Sequence, residues 1–239
     1  MKKEKTITVR RQKIQPDRTK KRLCFFVFLT ALLLLTVVFA EQICPYDPNA
    51  QDTGVALLPP GAGHLAGTDR FGRDMLSRIL VGLKTSVTST LILVVVVTVT
   101  GSILGLICGY FGGIADTVIM RISDICLAFP GLVFAMAIAA LLNGGISNAV
   151  LALALISWPK YARIARSQTL TVKNTNYMVA SQLAGCTAAQ MIWRHILPNI
   201  AGPILVTSML DIGTMMMELA GLSFLGLGAQ PPTAELGNM

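Results

Sequence analysis

Residues 177–199, YMVASQLAGCTAAQMIWRHILPN, place a polar, helix-forming insertion between two strongly apolar segments, too long and too structured for a simple turn between membrane helices. Ala180, Ser181 and Ala184 with Gly185 make a small-residue face that another protein surface can approach closely, and Pro198 marks entry into the next apolar run. The plainer reading is a loop carrying a short amphipathic helix. Both readings require flanking segments that span a membrane.

Composition supplies those flanks. Of 239 residues, 53% are hydrophobic and 13% charged, which excludes an ordinary soluble domain. The net charge of +8 does not point to nucleic acid, because half of the 20 basic residues precede Leu23 and basic flanks beside apolar spans are what membrane orientation requires. Lipid is the expected surrounding and no nucleic-acid partner is expected. Cys24, Cys44, Cys108, Cys126 and Cys186 have no paired spacing, so neither a disulfide framework nor a metal site is expected.

Outward from the insertion, the chain divides as follows. Residues 1–22 hold ten Lys/Arg without apolar periodicity and read as a basic tail, disordered or lying on a surface. Residues 23–40 are eighteen uncharged residues, near the roughly 20 that a bilayer core demands, and predict a first transmembrane helix; a cleaved signal peptide is the rival reading. Residues 41–86 are a loop with an amphipathic segment. Thr68 or Asp69 can cap a helix with Met75, Leu76, Ile79 and Leu80 at helical spacing, lying along the membrane surface. Asp69, Arg70, Arg73 and Asp74 invite a catalytic or metal reading, but alternating acids and bases more often neutralise one another as a structural ion-pair cluster. Residues 87–239 form the main transmembrane domain, with a long polar loop over 159–199. Spans are predicted at residues 87–111, 117–142, 146–158 and 200–219. Gly101, Gly105, Gly109 and Gly113 recur every four residues and line one helix face suited to close packing. Asp116, Arg121 and Asp124 put charge where the third span starts, with pairing expected there. Trp158 and Tyr161 sit where an aromatic belt would lie. Residues 221–232, GLSFLGLGAQPP, read as a re-entrant segment or loop.

Alternate assignment of the loops puts sixteen Lys/Arg on one side and four on the other, so the basic side, with the N-terminus and the 177–199 insertion, is expected to face the cytoplasm. No phosphate-binding loop is present, so nucleotide energy must come from a partner. His64 and His195 fall on opposite sides, which argues against an enzyme. Asp211 and Glu218 are seven apart, nearly on one helix face. Within a span they read either as a proton or cation site or as groups facing a watery cavity or a partner subunit.

The insertion resembles the EAA loop of permease subunits from binding-protein-dependent ABC importers, whose pattern is Glu-Ala-Ala, three residues, Gly, nine residues, Ile, one residue, Leu-Pro. Val179-Ala180-Ser181 stands at Glu-Ala-Ala, Gly185 matches, His195 replaces Ile, and Leu197-Pro198 matches. HLAGTDRFGRDMLSRILVG, GYFGGIADTVIMRISD and LSFLGLGAQPP resemble the C-type permease of the peptide/nickel branch. The resemblance implies an all-α polytopic helix bundle of the type I importer kind, with five of six spans present and the sixth expected beyond residue 239. It implies an ATP-driven importer for peptides or nickel and metal chelates. The partners would be a second homologous permease, two cytoplasmic ATP-binding subunits and an external binding protein, in a bacterial inner membrane. ATP and Mg2+ would sit on the partners, with no cofactor on this chain. Residue by residue, it assigns ATPase coupling to Tyr177, Val179, Ala180, Ser181, Ala184, Gly185, Leu197 and Pro198. An external motif covers Gly67, Thr68, Asp69, Gly72, Arg73, Asp74, Ser77 and Arg78. Helix packing falls to Gly101, Gly105 and Gly109, and a pathway to Asp211 and Glu218. Val179 lacks the family's acid, which removes any ion pair that the acid would make with the ATPase. The alternative is an ion-coupled secondary transporter or channel using Asp211 and Glu218.

Overall fold

The structure, a computed structural model, describes residues 16–239, so the expected basic tail lies outside the described residues up to residue 15. From Pro16 that segment is already helical. Proline fits a first helical turn, and the Lys/Arg-rich residues after it are good helix formers. Helix α1 (Pro16–Val38) therefore begins seven residues ahead of the expected span at residue 23. Its stretch Thr19–Val38 is long and apolar enough to cross a bilayer. Most of its large side chains, Phe25, Phe26 and Phe28 among them, are exposed, as a lipid-facing helix requires.

Helix α2 (Met75–Phe111) is one continuous rod of 37 residues. The surface helix and the separate span expected from sequence are thus a single element. No proline interrupts residues 75–111, and the one early glycine, Gly82, packs against Glu235 and Met239. The cap is Asp74, and neither Thr68 nor Asp69: its carboxylate accepts the Ser77 N–H at 2.8 Å.

The expected third span is broken into α3 (Gly113–Ala128) and α4 (Gly131–Leu141), which meet at 95°. Phe129 precedes Pro130, a position where the proline ring disfavours helical backbone, and Phe129 is extended at φ −99°, ψ 150°. The expected short fourth span is the first half of α5 (Ile146–Lys173). That helix runs through Pro159, which is buried inside it. A neighbouring helix can shelter the backbone that such a proline leaves unpaired. After α6 (Asn176–Leu183), the pieces Ala188–Met191, the π-helical turn Ile192–Ile196 and Leu197–Phe224 run on as one 37-residue helix, α7 (Ala188–Phe224). Among the described residues, α1, α2 and α7 are each long and apolar enough to span, and the bent α3–α4 pair makes a fourth. α5 packs along α2 but is not among these spans, and its second half carries Lys160, Arg163, Arg166 and Lys173.

The contact between α2 and α5 is the tightest in the bundle. A Cβ on Gly101 would lie 2.6 Å from the Trp158 carbonyl oxygen, one on Gly105 2.1 Å from that of Ala162, and one on Gly109 2.9 Å from that of Arg166. Facing them, α5 presents Ala162, Ala165 and Thr169, all buried. Gly113 stands apart from this stripe, past the end of α2 and in open space. Around the seam Leu93, Val97, Leu153, Ile156, Ile200, Met215 and Leu219 form the apolar core. Tyr161, expected in an aromatic belt, is fully buried within it.

Gly105→Leu is expected to destabilise the detergent-solubilised protein by about 2 kcal/mol or more through overpacking. Gly213→Ala, where nothing lies within 4 Å of the added carbon, is expected to be neutral or slightly stabilising. Thermal unfolding of the two variants checks this, and equal midpoints would contradict the close seam.

Candidate functional site

Three assemblies gather the residues singled out above, one at each end of the bundle and one in its interior. At the first end lie the loop over residues 44–74, the α4–α5 turn and the segment after α7. Gly145 N–H donates to the Gly228 carbonyl at 3.1 Å, and Gln230 donates to that of Asn143 at 3.3 Å. Here the Gly67 to Arg78 motif, expected to be external, is a knot that holds the loop on the start of α2. Asp69 accepts from the Arg73 Nε at 2.7 Å and from the N–H groups of Phe71 and Arg73. Asp74 accepts from the Ser77 hydroxyl at 2.6 Å and lies 2.9 Å from the His64 Nδ1. Thr68 accepts the Leu58 N–H, and Arg78 donates to the Pro48 carbonyl. Gly67 and Gly72 both have positive φ, and a Cβ on Gly72 would strike the Asp52 carbonyl at 1.7 Å. Of the four charged residues expected to neutralise one another, Asp69 and Arg73 do so. Asp74 turns instead to His64 and Ser77, and Arg70 stacks on Phe71 at 4.8 Å.

The interior assembly is a cavity of about 300 Å³ between the α3–α4 break, α5 and α7, with Cys126, Phe129, Ser157, Lys160, Asp211 and Glu218 in its wall. Asp211 and Glu218 share one face of α7, as their spacing predicts. Asp211 is buried and already satisfied: the Lys160 Nζ lies 2.7 Å from both its oxygens, and the Tyr161 hydroxyl donates at 2.9 Å. Sequence reasoning missed Lys160 and Tyr161 as partners because they lie 51 and 50 residues away. The only local hint was a lysine directly after an apolar run. The acids of α3 likewise pair with α5, Asp116 with Arg166 and Asp124 with Arg163, and not with Arg121 of their own helix.

At the opposite end, the Lys173 Nζ donates to the Tyr110 carbonyl at 2.6 Å and α6 projects from the bundle. Met178 is its buried anchor, and Asn199 donates to the Tyr177 hydroxyl at 3.2 Å, which ties α6 to α7. The helix ends in a Schellman turn: Cys186 N–H donates to the Ser181 carbonyl and Gly185 N–H to that of Gln182, with Gly185 at φ +83°. Gly185 therefore serves the backbone first, beyond the small-face role expected of it. Val179, Ala180 and Ala184 are exposed, Leu183 is 85% exposed, and Trp193, near the start of α7, is 70% exposed. Leu197 is half-buried and Pro198 sits in the first turn of Leu197–Phe224, where it continues the helix and does not break it.

Residues 101–239 match the family described as "Binding-protein-dependent transport system inner membrane component". Over 211 residues the chain is 44% identical to the probable D,D-dipeptide transport system permease protein of Escherichia coli K12, covering 88% of this chain and 71% of that protein. It is 40% identical over 219 residues to the dipeptide transport system permease protein of Haemophilus influenzae, covering 89% and 74%. It is 36% identical over 213 residues to the nickel transport system permease protein of Escherichia coli K12, covering 89% and 77%.

The knot at the start of α2 generates a pH dependence. Burial pushes the Asp74 carboxyl up, but the Ser77 hydroxyl, the Ser77 N–H and His64 outweigh it and hold the group below its ordinary value. Burial likewise opposes Arg73 and the Phe71 N–H at Asp69, and again the hydrogen bonds prevail. Values depressed on folding contribute stability that is complete above about pH 4 and is lost as pH falls through the folded values. Protection of residues 45–74 from hydrogen exchange is therefore expected to fall on acidification. In Asp74→Asn, which keeps a capping oxygen, the fall is expected to be shallower. An unchanged acid profile would count against the knot.

Proposed function

The chain belongs to the inner membrane components of binding-protein-dependent transport systems, and from that premise we propose that it is one permease half of an ATP-driven importer for small peptides or nickel chelates. The cargo follows the relatives' names, dipeptide, D,D-dipeptide and nickel. A second homologous permease would complete the membrane path. Two cytoplasmic subunits would bind ATP and Mg2+, and an external binding protein would deliver cargo to the end that carries the Gly67 to Arg78 motif. The bias of basic residues supports a cytoplasmic N-terminus and a cytoplasmic α6.

The observation that carries the reading is α6 itself, a short helix held to the bundle by Met178 and Tyr177 while Val179, Ala180, Leu183 and Ala184 are exposed. An apolar surface of this kind, at the basic end of a membrane protein, fits a protein partner that docks there. Closure of the ATPase subunits would then drive the membrane helices by preferring one arrangement of α6 over another. The cavity beside Asp211 and Glu218 would be part of the path. The ion-coupled alternative gains nothing from Asp211, whose carboxylate is held by Lys160 and Tyr161.

Uptake into membrane vesicles that hold the partner subunits is expected to require ATP at the cytoplasmic face and to survive an uncoupler; uptake that follows the proton gradient and ignores ATP would refute the reading. Leu183→Asp, at an exposed position, is expected to weaken co-purification of the ATPase subunit at least ten-fold, for which about 1.4 kcal/mol suffices. Gly185→Ala, which adds a Cβ at positive φ, is expected to fray α6 at a cost of about 1 kcal/mol.

A further inference from the structure

The charges around the interior cavity do not balance. Lys160, Asp211 and Glu218 line it together, and the first two neutralise each other through contacts of 2.7 Å. Glu218 is half-buried and makes no hydrogen bond or ion pair among the described residues. An unpaired carboxylate on a membrane helix is costly to keep unless something cationic visits it. Lys160 is also unfinished. Its side chain is 49% exposed, and an ammonium has three donors, of which Asp211 takes two.

The wall of the cavity thus offers a single acceptor site at Glu218 and a single donor site at Lys160. Seven residues of helix separate Glu218 from Asp211, a rise of about 10 Å. Two extended residues span roughly 7 Å, and a charged hydrogen bond of about 2.8 Å at each end brings the total to roughly 13 Å, so the side chains of Glu218 and Lys160 must reach apart beyond that backbone rise. We propose that the cavity binds a zwitterion of dipeptide length, with its ammonium on Glu218 and its carboxylate on Lys160. The inference rests on the reading of this cavity as part of the path. A volume of about 300 Å³ suits such a ligand.

Cys126 lies in the same wall and is partly exposed, so it can report occupancy. In membranes holding the assembled transporter, with Cys24, Cys44, Cys108 and Cys186 replaced by serine, the rate of maleimide modification of Cys126 is followed with and without alanyl-alanine. Protection should follow 1 + [L]/Kd, about three-fold at twice the Kd. N-acetyl-alanyl-alanine and alanyl-alanine amide are expected to protect little. Glu218→Gln is expected to abolish protection by the free dipeptide, and Glu218→Asp to retain part of it. Absence of protection in the unchanged protein, equal protection by the N-acetyl compound, or full protection in Glu218→Gln would each overturn the proposal. Loss of the second membrane subunit from Glu218→Gln would overturn it too, because the carboxylate would then serve the subunit contact. Failure of the importer reading shows separately, as uptake without ATP dependence while the protection pattern stands.

Discussion

The backbone-to-backbone approach of α2 and α5 is the constraint on which the rest of the bundle depends. In a bilayer, helices gain little from hiding apolar surface from one another, because lipid is as apolar as leucine; close contact of small residues must do the work. Gly101, Gly105 and Gly109 give α2 a groove without side chains, and the α5 backbone at Trp158, Ala162 and Arg166 lies in it. Two things follow. α5 can carry four basic residues within the bundle, because one face is sealed against α2 and two of the charges are matched by Asp116 and Asp124 of α3. And Tyr161, fixed by the same seam, presents its hydroxyl to Asp211 and so fixes where α7 crosses α5.

The interior cavity is a consequence of the break at Pro130. A straight helix over residues 113–141 would carry Cys126 and Phe129 along the bundle wall. The 95° bend swings the two halves apart and leaves space between them, α5 and α7. The cost of ending a helix twice is limited, since Phe129 needs only the extended backbone that a residue before proline already prefers.

The class of the fold was open to reading from hydropathy alone, and so were the ends at which the loops collect, because apolar length and basic bias are local quantities. The glycine stripe was equally local, and its three members face α5 as their spacing implied. Element boundaries were harder. Met75, Leu76, Ile79 and Leu80 at amphipathic spacing read as a separate surface helix, although that periodicity does not end a helix and the rod runs on to Phe111. The span expected at residues 146–158 stopped just short of Pro159, through which α5 in fact continues, and Pro130, where the helix does break, was passed over. The partners of Asp211, Asp116 and Asp124 could not be read at all. Each lies 39 to 51 residues away on another helix, and only the packing of α5 brings them near. The expected small-face role of Gly185 gave no sign of its second role, the positive φ that ends α6.

The continuity of α7 has a mechanical meaning. Its first turns adjoin α6, and its far half carries Asp211, Met215 and Glu218 along the cavity. From Ala188 to Glu218 is about 45 Å of helix, so a tilt of roughly 5° about one end displaces the other by about 4 Å, more than the length of a hydrogen bond. The π-helical turn at Ile192–Ile196 lies near the α6 end of this rod, the kind of local irregularity in winding that recurs at functional places in helices. If a partner pushes on α6 as proposed, the rod itself would carry that displacement to the cavity, with no chain of side chains needed to relay it.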